Sequence, residues 1–240
     1  MHYTISVGFS LAIFATQSAL VYAQSVRELY TEGVNAQKYG DYARAERIWH
    51  EVIALDPEIA VAYTNLGLAI ASQNRFSEAE PFQREALNLV SEDVLETTLA
   101  YMHAELGDTL LKQGKFEEAE EAFQSAIILD PGDMIAHAGL GNALLDQDRL
   151  EEAEGAYRQA IQLDIDNRFL YIRIHLGNTL LRQGRLEEAE MIYRATIYLN
   201  NDYALAYHNL GVVLQRQGRD DEAELAFQEA AQLDPDTYDK

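Results

Sequence analysis

Apolar residues return along most of this chain at intervals of three and four. Tyr207, Leu210, Gly211 and Leu214 are one such run, the stripe of a single helix face. The stripes come in pairs. Between the two members of each pair stands a turn-forming residue: Gly40, Asn74, Gly114, Asp148, Gly184 or Gly218. Gly and Asn tolerate the left-handed backbone with which helices end. Three of the second stripes close on Asp-Pro, at Asp56-Pro57, Asp130-Pro131 and Asp234-Pro235. The residue before proline is driven out of helical geometry, so these are stops. The pattern predicts helical hairpins and an all-α fold.

The hairpins repeat. Gly33, Gly67, Gly107, Gly141, Gly177 and Gly211 are separated by 34, 40, 34, 36 and 34 residues. Twelve residues after each stands an alanine: Ala45, Ala79, Ala119, Ala153, Ala189 and Ala223. Four further on comes a ring, at Trp49, Phe123, Tyr157, Tyr193 and Phe227; the second unit has Gln83 there, beside Phe82. A glycine inside a helix costs about 1 kcal/mol relative to alanine. Glycines in one phase therefore predict a close approach of the partner helix.

Five of the six second helices open on nearly the same acidic string: QNRFSEAE at 73–80, QGKFEEAEE at 113–121, QDRLEEAE at 147–154, QGRLEEAE at 183–190 and QGRDDEAE at 217–224. Clustered carboxylates suggest a metal site or an acid/base pair. Recurrence once per repeat favours a plainer reading, charge placed at the positive end of each helix dipole, worth roughly 0.3–1 kcal/mol per group.

These columns resemble the tetratricopeptide repeat family over about residues 26–236. Leu-Gly at 66–67, 106–107, 140–141, 176–177 and 210–211, the alanines, the rings and the closing prolines fall in phase. The units lie near 26–59, 60–93, 100–133, 134–167, 170–203 and 204–237. Glu32-Gly33 in the first unit, Pro81 in the second and the extra residues at 88–100 and 164–171 depart from the pattern. The resemblance implies an α-solenoid of stacked helix-turn-helix repeats, a right-handed superhelix whose first helices line a concave groove. It also implies a non-enzymatic scaffold that holds a peptide segment or partner protein there. A purely architectural subunit acting through its ends and acidic convex face is the alternative. An enzyme is remote, since no nucleophile elbow, P-loop, HExxH or dinucleotide fingerprint occurs.

The phase of the first helices nominates the groove residues: Asn65, Tyr101, Lys112, Asn142, Tyr171, Asn178, Arg182, His208, Asn209 and Arg216. Val61, Thr64, Ala104, Ile135, Ala138, Ile174, His175 and Leu205 are expected on the same face. An amide offers donors and an acceptor to an extended backbone, and tyrosine offers contact area at low entropy cost. Solvated helix-surface asparagines are the alternative. His175 and His208 are near enough in phase to be weighed as a metal pair, but no third ligand is apparent. No cofactor and no catalytic or metal-binding residue is expected. The chain ends at Asp234-Pro235-Asp236-Thr237-Tyr238-Asp239-Lys240, which leaves no room for a closing helix. The apolar side of the last helix (Leu225, Phe227, Ala230, Leu233) then either forms a homodimer, receives a partner or stays a tolerated exposed edge.

Composition changes the picture in two places. The net charge of −22, from 40 acidic and 18 basic side chains, excludes nucleic acid as the partner and favours a neutral or basic peptide. The first 24 of the 240 residues hold no Asp, Glu, Lys or Arg. The apolar run Ile5 to Ala15 and the small-residue spacing at Val21-Tyr22-Ala23 read as an export signal, residues 1–23, with a mature domain over 24–240. The protein is then periplasmic or secreted; an uncleaved leader would instead anchor it in a membrane. There is no cysteine, which excludes disulfides and thiol chemistry.

Overall fold

The computed structural model describes residues 24–90 and 95–238. The leader, residues 1–23, and part of the long 88–100 junction lie outside them. Among the described residues every regular element is helical: α1 (24–38), α2 (Tyr42–Leu55), α3 (Ala60–Ala71), α4 (Phe76–Asn88), α5 (Glu96–Lys112), α6 (Phe116–Leu129), α7 (Met134–Asp146), α8 (Leu150–Leu163), α9 (Leu170–Arg182), α10 (Leu186–Leu199), α11 (Ala204–Arg216), α12 (Asp220–Leu233) and α13 (Pro235–Tyr238). They form two compact units, with the boundary inside α5 between Thr109 and Leu110. In the first, α2 packs on α3 and α3 on α4; in the second, each helix from α6 to α12 packs on the next. Each is a stack of antiparallel helix pairs, the helical-repeat solenoid that the period predicts. The turn residues Gly40, Asn74, Gly114, Asp148, Gly184 and Gly218 all have positive φ, between 61° and 77°. Asn74 and Asp148 accept that strain because their short polar side chains tolerate it.

What the period encodes is a ring pressed on a bare backbone. A β-carbon added at Gly33 would stand 2.8 Å from the Trp49 ring. At Gly141, Gly177 and Gly211 it would stand 2.6, 2.5 and 2.6 Å from Tyr157, Tyr193 and Phe227. Those are sixteen-residue steps, from the first helix of a hairpin to the second. The alanines one turn earlier let the helices close: Ala45, Ala79, Ala119, Ala153 and Ala189 are wholly buried. Trp49, Tyr157 and Tyr193 are buried to 0% exposure. The second hairpin holds Gln83 in the ring slot, with its Cγ 2.6 Å from a β-carbon built on Gly67. Its Nε2 donates to the Glu105 carbonyl at 3.4 Å, and its buried Oε1 has no partner.

The acidic strings do two jobs. Glu117, Glu118, Glu151, Glu152, Glu187, Glu188 and Asp220 to Glu222 occupy first turns whose N-cap residue makes no side-chain cap bond. They answer the helix dipole as expected. The second job links repeats. Arg75, Arg149, Arg185 and Arg219 stand at the N-caps. Each guanidinium is gripped at two points by the glutamate three residues on, as in Arg219–Glu222 at 2.8 and 2.6 Å. Each also reaches the glutamate that follows the buried alanine of the preceding hairpin. Arg75 meets Glu46 and Arg219 meets Glu190, both at 2.8 Å, and Arg149 meets Glu120 and Arg185 meets Glu154. The first hairpin inverts the pair: Asp41 stands where the arginines stand, Arg44 where their glutamates stand, and Arg44 turns to Glu32 of α1.

The far side of the last hairpin is only partly bare, with Leu225 and Leu233 exposed. The short helix α13 lays the Tyr238 ring on His208, with centroids 4.8 Å apart and planes at 28°. This corrects the expectation that no closing helix fits. Ala230 is buried and Phe227 packs under His208 at 5.5 Å, whereas Leu225 stays 62% exposed.

Four outcomes follow for stability. Gly177→Leu, driven into Tyr193, is expected to lose about 3 kcal/mol by overpacking. Gly155→Ala, with nothing within 4 Å of the new β-carbon, is expected to gain up to about 1 kcal/mol in calorimetric melting. Gln83→Phe removes the unpartnered oxygen and restores the ring, and is expected to raise stability by roughly 1–2 kcal/mol. Partial burial pushes the Glu154 and Glu190 carboxyls up, but the bonds from Arg185 and Arg158, and from Arg194 and Arg219, outweigh it. Both therefore titrate below the usual glutamate value near 4.5. Groups lowered in the folded state stabilise above that value and stop doing so as pH falls through the lowered one. Melting temperature is expected to fall in that acid window, and less steeply in the Arg185→Gln, Arg219→Gln double variant.

Candidate functional site

The second unit carries most of the nominated residues, on the shared face of α7, α9 and α11. Ile135, Tyr171 and Leu205 occupy one register position on these helices and are exposed. Two turns further along stand Asn142 and Asn178, half-buried; Asn209, also half-buried, lies three residues before that register in α11, at the position that His175 holds in α9. Lys112, Asp146, Arg182 and Arg216 end the face, all exposed. Thr64, Ala104, Ala138 and Ile174 do not belong to any such face. They are 1%, 8%, 2% and 3% exposed, packed within the stack. The phase therefore turns inward three residues before each glycine. His208 shares that position in the sixth hairpin, half-buried under Tyr238.

The amides are already committed on one side. The Tyr157 hydroxyl donates to Asn142 Oδ1 at 2.8 Å, and the Tyr193 hydroxyl to Asn178 Oδ1 at 2.7 Å. Asn209 Nδ2 adds a weaker bond to Asn178 Oδ1 at 3.3 Å. The rings that fill the glycine slots thus also orient the groove asparagines, with the amide nitrogens of Asn142 and Asn178 as the remaining donors. Burial pushes both tyrosine hydroxyls up, so they stay protonated and donating. The sequence contains a sign of this that spacing alone does not reveal. A tyrosine stands in the ring column only in the hairpins with Asn one residue after the glycine; Phe123 and Phe227 go with Asp108 and Val212.

His175 lies between these groups. Its ring stacks on Tyr157 at 5.8 Å and meets Tyr171 edge-on at 6.0 Å. Burial lowers its pKa, with Asp146 opposing and Lys112 assisting, which favours the neutral imidazole. Arg182 is held by Asp148 at 2.8 Å and by the Leu145 carbonyl. In the first unit, Asn65 is half-buried and its carbonyl accepts from Gln37 Nε2 at 3.3 Å. Tyr101 is exposed, its phenol pushed up by partial burial and by Glu105. A cavity of about 1070 Å³ opens along α1 near Arg27, Asn35 and Arg44, and none of the nominated residues lines it. Among the described residues no three His, Asp or Glu side chains are placed to hold a metal ion, and no helix is long and apolar enough to cross a membrane.

Comparison with known proteins agrees with this architecture. Tetratricopeptide repeat models match residues 58–130 and 168–236, and a second such model matches 105–168. A curated relative is small glutamine-rich tetratricopeptide repeat-containing protein 2 of Mycosarcoma maydis, 25% identical over 108 residues. That match takes in 45% of this chain and 29% of the relative, so the chain spans under a third of that protein's length. Among solved structures, Pseudomonas aeruginosa PilF superposes with a TM-score of 0.73 at 17% identity, over 89% of this chain and 94% of that one. YrrB, a TPR protein with an unusual peptide-binding site, gives 0.62 at 23%, over 79% and 93%. The Cut9–Hcn1 hetero-tetramer of the APC/C gives 0.71 at 15%, over 90% and 43%. At these identities the likeness is one of fold.

Proposed function

The chain belongs to the tetratricopeptide repeat family, whose members generally mediate protein–protein interactions, and we propose that this one is a non-enzymatic scaffold that grips an extended segment of a partner protein on the α7–α9–α11 face. The observation that carries the reading is the pair of tyrosine-oriented amides, Asn142 and Asn178, beside the exposed Tyr171. Their free N–H groups are suited to backbone carbonyls, and Tyr171 with Ile135 and Leu205 supplies apolar area for side chains. The face is locally unlike the whole chain. Its rim carries Lys112, Arg182 and Arg216 against Asp146, and the acidic strings lie on other helices. A neutral segment, read through its backbone, suits it best. YrrB supports the reading only as an example of this fold that binds a peptide.

The reading extends to export through the uncharged leader, residues 1–23. Mass spectrometry of the protein from the exported fraction is expected to find a chain beginning at Gln24; an intact Met1 there would count against cleavage.

Variants that test the face must spare its internal bonds. Asn178→Ala would strand the Tyr193 hydroxyl, so a loss of binding there mixes two effects. Tyr171→Ala with Arg216→Ala leaves those bonds intact and removes the edge contacts of Tyr171 with Phe169 and His175. The pair is expected to lower the affinity for a captured partner at least tenfold, with circular dichroism and melting confirming that the fold is kept. Undiminished capture would favour an architectural role through other surfaces.

A further inference from the structure

A repeat fold needs only its periodic residues, so an exposed residue that breaks the period is not there for the fold. The outward faces of the second helices α10 and α12 contain three such residues. Met191 and Leu225 occupy one register position in successive hairpins, 68% and 62% exposed. Earlier hairpins have Arg47, Pro81, Glu121 and Gly155 there. Tyr198, 90% exposed, lies seven residues beyond Met191, about 10 Å along the same face of α10. Its column elsewhere reads Ala54, Asn88, Ile128, Gln162 and Gln232.

Between α10 and α12 the surface opens into a slot of about 240 Å³. Leu210, Leu214, Leu225 and Ala226 are among its walls, with Arg194 and Glu229 at the rim. It is smaller than the roughly 300 Å³ at which ligand pockets begin and suits one or two aliphatic side chains. Around it the charge is one-sided. Glu188, Glu190 and Glu222 are matched by Arg185, Arg194 and Arg219. Among the described residues Glu187, Asp221 and Glu229 make no ion pair. An apolar slot with unmatched carboxylates beside it calls for an apolar anchor with cations beside it.

We infer that the outward α10–α12 face is a second docking surface, for a cationic amphipathic helix of another protein. Its aliphatic residues enter the slot and lie over Met191 and Tyr198, and its Lys or Arg residues reach Glu187, Asp221 and Glu229. A helix fits because the apolar anchors on α10 are spaced by two turns, the spacing that a helix presents in return. A second copy of this chain fits poorly, because its own second helices open on the same acidic strings and would meet like charge with like.

The probe is a fluorescent eighteen-residue helix of leucine and lysine in amphipathic order. Its controls are the same composition scrambled and a leucine–glutamate counterpart. Anisotropy titration is expected to give micromolar binding of the ordered leucine–lysine peptide alone. Binding is expected to weaken at least tenfold in Met191→Gln, Leu225→Gln and to be untouched by Tyr171→Ala. Both changes are to exposed side chains, and circular dichroism with melting confirms that the variants fold. Equal binding of the scrambled peptide would reduce the surface to bare charge and overturn the inference. So would loss of binding on Tyr171→Ala, which would move the peptide to the face of the first helices without harming that proposal. A dimer in sedimentation equilibrium that dissolves on Leu225→Gln would make a second copy the occupant, and would overturn it as well.

Discussion

The contact on which the hairpins depend is an aromatic ring lying against a glycine. Where Gly141 or Gly177 stands, any side chain would occupy the space of Tyr157 or Tyr193. The glycine weakens its own helix by about 1 kcal/mol, and the fully buried ring returns more than that in apolar area removed from water. The contact also fixes the hairpin in register, because the ring has one slot. Everything further along the chain inherits this phase: the turn residue, the alanine that lets the helices close, and the arginine at the next N-cap.

Register then becomes a link between hairpins. The arginine at each N-cap bridges a glutamate in its own first turn and a glutamate in the hairpin before it. Held at two points by Glu222, the Arg219 guanidinium loses little further freedom when it reaches Glu190. That pre-organisation lets a half-buried arginine matter where isolated surface pairs contribute little. Glu154 and Glu190 are the less exposed partners, at 13% and 15%, so their charge depends most on the bond.

The sequence makes the fold legible to the level of single columns, because glycine, ring and turn each answer a local geometric demand. It was less legible where a residue serves two neighbours. The acidic strings read as helix starts, and they are, but the bridge to the previous hairpin joins residues 29 or 31 apart and has no local signature. The groove phase was wrong at Thr64, Ala104, Ala138 and Ile174 for a related reason. Polar and small residues on a helix look solvent-facing until the next hairpin is laid over them. Nor does any local pattern reveal that Tyr157 and Tyr193 hold the oxygens of Asn142 and Asn178.

The same columns show where stacking is discouraged. At the register position of Leu111, Leu145 and Leu181 the sixth hairpin has Gln215, and at that of Ile127, Ile161 and Ile197 it has Ala231. Leu145, Leu181, Ile161 and Ile197 pack on the core of the second unit, so a polar glutamine and a small alanine withdraw apolar area where a further hairpin would need it. In the first hairpin Asp41 stands in place of the bridging arginine. Were two copies to stack end to end, Glu224, which occupies the bridging position of Glu190, would face Asp41 rather than a cation. Both substitutions lower the complementarity that an added hairpin or an end-to-end copy would need.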